Sequence, residues 1–237
     1  MVRRVGMTTA VNRARRAFKR LRGRRPTLID GDAQGSLHGH VRHWSDVHGW
    51  FQWRAGQEQA VEHFPAGARF VEVGVYLGRS ICSLAEVVTA SGKDITLIGV
   101  DTCLGSGPEG PAPIDYHGDA VADGRGTLAG TLHRNLIACG AGQAVTLIVG
   151  SSVSSAALFA DRSLDWVHLD ASHDEPNVRA DIQAWLPKVR PGGWLSGDDY
   201  LPEQWPGVVS AVTELLPDAR PWDQNQWRYE VPEHSVR

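Results

Sequence analysis

Cysteine, long apolar runs and acidic residues near the N-terminus are all scarce in this 237-residue chain, and each absence excludes something. Cys82, Cys103 and Cys139 are too few and too scattered for a disulfide framework or a zinc cluster. Reduced thiols packed as small apolar groups are expected instead, in the cytoplasm. No run of about 18 apolar residues occurs, so no segment reads as a membrane span. The first residues lack the apolar stretch of a secretory signal, and none is expected. No internal repeat is present. Residues 1–25 hold no acid at all but ten of the 24 Lys and Arg, from Arg3 to Arg25. The remainder therefore carries 14 basic against 27 acidic residues, a formal −13. So acidic a body argues against nucleic acid as the main partner, because affinity for phosphates needs positive clusters near the site. The basic head reads first as a solvated or helical charge block. Attachment to an anionic membrane is the weaker reading, since only Val11, Phe18 and Leu21 offer an apolar stripe.

What remains is ordered as an alternation. With 42% hydrophobic residues the chain can bury one full core. Residues 1–29 read as a basic extension, 30–65 as a His- and Trp-rich helical lead-in or lid, and 66–237 as one domain. Within that domain Arg69–Val73 predicts a strand, Gly74 to Gly78 a turn, and Ser80–Ala90 a helix with Ile81, Leu84, Ala85 and Val88 on one face. Strands follow at 94–100, 144–149, 165–170 and from Trp194. Helices are expected at 127–139, 154–160, 177–189 and 208–216, with a long Gly- and Pro-rich loop at 102–126. One or two edge strands are expected near the C-terminus. Strands alternating with helices predict an α/β fold, a doubly wound and mostly parallel sheet with helices on both faces.

Chemistry-bearing residues gather where such sheets bind ligands, at the carboxyl ends of strands. Asp170 closes the run Leu164–Leu169, and Asp198 and Asp199 close the run that follows Pro191-Gly-Gly. Two neighbouring strand ends would bring three carboxylates and the imidazole of His173 to one rim, a donor set suited to a hard divalent cation. Taken singly, each acid equally suits a loop or helix cap. Asp101, at the end of the second strand, is placed either to accept from a ribose diol or to cap its loop. The turn Glu72-Val-Gly74-Val-Tyr-Leu-Gly78-Arg-Ser80 lets backbone approach a ligand. It does not follow Gly-x-Gly-x-x-Gly and lacks the Gly-Lys-Ser/Thr of a triphosphate loop. His168 alternates into its strand and reads as a packed core residue. Tyr116 and His117, in the long loop, are candidates to line an acceptor site.

These motifs, together with Val100-Asp-Thr102, Gly150-Ser-Ser152, Leu169-Asp-Ala-Ser-His173 and Arg190-Pro-Gly-Gly-Trp-Leu-Ser-Gly-Asp-Asp-Tyr200, carry a resemblance. Over residues 66 to 215 the chain resembles the class I S-adenosylmethionine-dependent methyltransferases. It looks most like the Mg²⁺-dependent sugar and small-molecule O-methyltransferases, a group that includes macrolide-sugar methyltransferases and cephalosporin-hydroxylase-like proteins. The resemblance implies a Rossmann-like sheet. It implies that Glu72, Gly74 and Ser80 hold the methionine end of the cofactor, Asp101 the ribose, and Ser151 and Ser152 the adenine region. Asp170, Asp198 and Asp199 would bind Mg²⁺. Many members of the group carry His where Asp198 stands. His173 is the candidate base that takes the acceptor's proton, beside Asp170.

The expected activity is therefore methyl transfer to a hydroxyl of a sugar, oligosaccharide or glycosylated metabolite. Six flanking tryptophans (Trp44, Trp50, Trp53, Trp205, Trp222 and Trp227) are candidates to offer ring faces to that acceptor. A catechol or phenol acceptor, or a non-catalytic partner protein that keeps the fold, are the alternatives. A homodimer or higher homo-oligomer is expected from the resemblance alone.

Overall fold

The structure is a computed structural model that describes residues 33–109 and 115–233. The basic head, residues 1–25, lies outside the described residues. Seven strands form one sheet: β1 (Arg69–Val73), β2 (Thr96–Asp101), β3 (Val145–Val149), β4 (Leu164–Leu169), β5 (Val189–Gly197), β6 (Arg220–Trp222) and β7 (Gln226–Glu230). Their order is β3-β2-β1-β4-β5-β7-β6. Every pairing from β3 to β5 is parallel, and β7 and β6 join antiparallel. The helices are α1 (Arg54–His63), α2 (Arg79–Ser91), α3 (Gly118–Asp123), α4 (Ala129–Ala138), α5 (Ser152–Ala156), α6 (Glu175–Trp185) and α7 (Pro206–Leu215).

The period-two alternation of the strands builds two cores. Phe70, Leu97, Trp166 and Trp194 face α1, α2 and α4. Val71, Ile98, Val167 and Leu195 face α5, α6 and α7. A sheet covered on both faces reads as a near-continuous apolar run, which is why β1, β2 and β4 are so apolar. This is the doubly wound α/β fold that the alternation predicts. After β1 the chain winds outward through β2 and β3, and it returns to place β4 on the other side of β1. The switch point thus lies between β1 and β4, where a crevice opens at the carboxyl ends.

Several elements differ from the expectation. Pro191-Gly-Gly is not a turn before the fifth strand but lies within β5, which begins at Val189. There the Gly192 N–H donates to Val231 O and the Val231 N–H to Gly193 O, so the residue just after β7 supplies partners that no local signal foretells. The helix expected to run to Val189 ends at Trp185, followed by a short 3-10 turn over Leu186–Lys188 in which Pro187 cannot donate. α5 starts two residues early because the Ser151 side chain caps it, accepting from the Ser154 N–H. A short helix, α3, stands inside the segment expected to be loop. Among the described residues no helix is long and apolar enough to cross a membrane.

Candidate active site

The site begins where β1 ends. Glu72 is 2% exposed, with Oε1 accepting from the Ser80 hydroxyl and Oε2 without a partner. Burial, reinforced by the charges of Asp170 and Asp101, pushes its carboxyl up to about 8 despite the Ser80 hydrogen bond. Gly74 follows at φ +88°, and a Cβ there would stand 1.9 Å from Asp170 O. Its freedom is thus used first by the protein's own chain, because the ends of β1 and β4 touch at this point. Asp101 closes β2 and reaches across: Oδ2 accepts from the Val75 and Tyr76 amides (2.9 and 2.8 Å), and Oδ1 from the Cys103 amide (2.6 Å). It braces the turn while remaining on the cavity wall.

The Glu72 shift sets a testable sign. The folded value lies above the ordinary 4.5, so the folded protein binds the proton more tightly than the unfolded chain. That contribution to stability is complete below about 4.5 and is lost as pH rises through about 8. In ligand-free protein, Glu72→Gln should therefore gain on wild type between pH 5 and 9, by on the order of a few kcal/mol. Paired denaturation curves at the two pH values check it; a constant difference would refute it.

At the neighbouring strand ends three groups converge. Asp170, His173 and Asp199 each place a ligand atom within 4.8 Å of the others. His173 Nε2 lies 2.8 Å from Asp199 Oδ2 and 3.9 Å from Asp170 Oδ1. The short contact is out of line for a hydrogen bond, so Nε2 is buried without one. Asp199 reaches this position from a left-handed backbone (φ +58°), a conformation that Asp tolerates better than most residues. The structure does not bring Asp198 into this trio. Its Oδ1 accepts from Gln226 Nε2 (2.5 Å) and from the Asp199 amide (2.6 Å). Burial and the charge of Asp199 hold the Asp198 carboxyl well above the carboxylate range, and burial raises Asp170 too. Burial also works against protonated His173, but Asp199, Asp170 and Glu109 outweigh it and hold the ring well above its usual value.

A cavity of about 370 Å³ joins the two halves. Gly74, Val75 and Asp101 line it on one side, Asp170, His173 and Asp199 on another. Ser151 and Ser152 stand on the same wall, but both hydroxyls already have work: Ser151 caps α5, and Ser152 accepts from Trp185 Nε1 at 2.9 Å. Asp181, buried beside Ser152, has its carboxyl pushed up to about 6 by burial. Trp50 packs edge-on against Tyr116 (5.8 Å) and obliquely on Tyr76 (6.0 Å), while Tyr76 lies 4.6 Å from His117, so these rings form one aromatic wall.

The six tryptophans do not act together. Trp50 and Trp205 line the cavity, but Trp53 and Trp227 are each 1% exposed and belong to the core. Trp205 lies against the His173 ring at 4.5 Å. His168 is a core residue, as expected: it is 1% exposed, with Nδ1 2.9 Å from Ser196 Oγ and Trp53 against its ring. Glu109, Gln226 and Asn225 carry no sequence signal. Glu109 comes from a Gly- and Pro-rich loop, and the two amides come from the turn into β7, and only the fold brings them to the strand-end acids. Asn225 Nδ2 donates to Asp199 Oδ1 at 3.1 Å.

Comparison with known proteins bears on the fold and the family. A family model described as a methyltransferase domain matches residues 71–200, more than half of the chain. Among solved structures, the O-methyltransferase NovP is 19% identical with a TM-score of 0.58, over 76% of this chain and 79% of that one. CalS11, a calicheamicin methyltransferase, is 17% identical with a TM-score of 0.53, over 75% and 76%. Cofactor-bound Rv0187 from MTB is 18% identical with a TM-score of 0.50, over 97% and 93%. At these identities the likeness establishes the shared fold. No curated protein sequence matches the chain. On the family match and the Rossmann-like sheet together, the chain belongs to the methyltransferase-domain family of S-adenosylmethionine-dependent enzymes.

Proposed function

We propose that the protein transfers a methyl group from S-adenosylmethionine to a hydroxyl, with a divalent cation such as Mg²⁺ held at the strand ends, and that the acceptor is a sugar or glycosylated metabolite. The observation that carries this reading is the trio Asp170, His173 and Asp199 at one end of a cavity whose other end is the Gly74 turn. Four buried or half-buried carboxylates (Glu109, Asp170, Asp198 and Asp199) meet one imidazole there. Burying several like charges with so little compensation is costly, and a cation offsets it. The unpartnered Oε2 of Glu72 suits a cationic amino group in the same way.

Asp170 and Asp199 would hold the cation, with Asp198 behind them oriented by Gln226. A bound cation lowers the pKa of a coordinated hydroxyl and orients it. With a cation offsetting the charges of Asp170 and Asp199 that otherwise hold its second proton, His173 would take the acceptor's proton at Nε2, with Trp205 against its ring. Glu72, Gly74 and Ser80 would hold the methionine end of the cofactor, Asp101 the ribose side, and Ser151 and Ser152 the adenine side. Alignment of the sulfonium methyl with the acceptor oxygen is the protein's main contribution. A phenolic acceptor is the second reading, because the wall of Trp50, Tyr76 and Tyr116 suits a flat aromatic ring as well as the C–H face of a sugar.

Calorimetric titration of metal-stripped protein with S-adenosylhomocysteine is the first test. One-site binding at micromolar Kd or tighter, on the order of −8 kcal/mol, is expected. An absence of heat at two temperatures, with and without Mg²⁺, would remove the reading. Acceptor profiling with saccharides and catechols then separates the two substrate classes.

A further inference from the structure

Glu109 stands 64 positions away from His173 in sequence, yet it bonds to that residue twice. Its Oε1 accepts from the His173 backbone N–H at 3.0 Å, and its Oε2 lies 3.0 Å from His173 Nδ1. The side chain is only 6% exposed. Desolvating a carboxylate is unfavourable unless its oxygens are matched to donors, and here both are. Ser106 supplies one more, donating from Oγ to Oε2 at 3.0 Å. With the His173 backbone N–H on one oxygen and Nδ1 and the Ser106 hydroxyl on the other, the Glu109 carboxylate is placed as an acceptor only. An acceptor-only group facing Nδ1 requires the proton to sit on Nδ1. The other nitrogen, Nε2, is then the one turned to Asp199 and Asp170.

We propose that Glu109 is the positioning residue of the site: it keeps the His173 proton on Nδ1 and so presents Nε2 to the strand-end carboxylates and the acceptor. The loop after β2, whose start carries Asp101, thereby sets the chemistry of a residue after β4. A histidine used as a base or ligand through one nitrogen is regularly oriented by the hydrogen bond of the other. The catalytic half of this inference rests on the proposed role of His173; the proton's location does not.

The test is nuclear magnetic resonance of the full chain labelled with ¹⁵N-histidine. The His173 ring signals are identified by their disappearance in His173→Gln. Wild type is expected to show an Nδ1–H protected from solvent exchange. Glu109→Gln, which removes the charge at nearly constant shape, should lose that protection. Glu109→Asp, which keeps the charge on a shorter arm, should retain part of it. A protected Nδ1–H of equal lifetime in all three proteins, or an unprotonated Nδ1 in wild type, overturns the proposal. Should Glu109→Gln fail to fold, Glu109→Asp carries the comparison: unchanged Nδ1–H lifetime there overturns it equally. S-adenosylhomocysteine affinity should move little in Glu109→Gln, while kcat on any acceptor found should fall on the order of 10²-fold with KM nearly constant. An equal fall in cofactor affinity would mark a merely structural role and overturn the positioning role. Failure of the wild type to bind S-adenosylhomocysteine would sink the methyltransferase mechanism while leaving the ring result standing, so the two outcomes are separable.

Discussion

Asp199→Asn should abolish the response of the protein to Mg²⁺ and reduce methyl transfer by about 10² to 10³, with binding of S-adenosylhomocysteine kept within a few-fold. The size follows from the several kcal/mol that a bound cation contributes by charge stabilisation, at one factor of ten for each 1.4 kcal/mol. Asp199 is held in place by Asn225 and by the left-handed backbone at φ +58°, with Oδ2 2.8 Å from His173 Nε2. Asp170→Asn should behave alike, since it supplies the other carboxylate of the trio. The direct measurement is the shift in melting temperature with Mg²⁺, because a ligand that binds only the folded state stabilises it by mass action. Wild type should shift and both variants should not. Asp198→Asn discriminates further. Its Oδ1 is occupied by Gln226 and by the Asp199 amide, so the variant should weaken the Mg²⁺ response by about tenfold rather than erase it. An Asp199→Asn protein that responds to Mg²⁺ like wild type would end the metal role; an Asp198→Asn protein as inert as Asp199→Asn would move Asp198 into the set of direct ligands.

Gly74→Ala is expected to be severely destabilising. Two effects combine. The backbone stands at φ +88°, where a side chain costs about 1–2 kcal/mol. The new Cβ would also lie 1.9 Å from Asp170 O and 2.7 Å from Ala171 Cα. Neither neighbour is a flexible side chain that could swing away. The Asp170 N–H donates to Val73 O at 2.7 Å and the Gly74 N–H to Val100 O at 2.8 Å, so any shift breaks the ladder at the switch point. Destabilisation above about 4 kcal/mol is expected, in the exceptional tail for point substitutions. Gly92→Ala is the control: it too has positive φ (+68°), but nothing lies within 4 Å of its Cβ, and only about 1 kcal/mol should be lost. Chemical denaturation of the two variants measures the difference. Equal, mild losses would mean that the β1 and β4 ends do not meet as described.

Much of this was readable in the chain itself, and the physics says which parts. The apolar runs at Phe70–Val73, Leu97–Val100 and Trp166–Leu169 declare a sheet covered on both faces, because nothing but burial on both sides favours such runs. Acids at their ends declare a site, because a sheet of this kind leaves only its carboxyl edge free for ligands. His168 declared itself by alternation, and the structure keeps it in the core. Other features were illegible because their causes are not local. Pro191-Gly-Gly carries the composition of a turn, yet it extends within β5 because Val231, forty residues on, offers the missing partners. Most of the flanking tryptophans resemble a ring-binding surface in composition, but Trp53 and Trp227 are spent on the core.

The class of fold, the acid-bearing strand ends and the glycine turn are written in short stretches of chain, since they follow from periodicity, burial and backbone freedom. Which acids meet follows from the closed sheet alone. It joined Asp199 rather than Asp198 to Asp170 and His173, turned Asp198 to Gln226, and set Glu109 against Nδ1 of His173. Side-chain direction after a strand depends on one residue's φ and on partners from distant segments, here Asn225 and Gln226 at the turn into β7. A linear pattern does not contain that information, because the hydrogen bonds that select one carboxylate over its neighbour exist only once the sheet has closed around them.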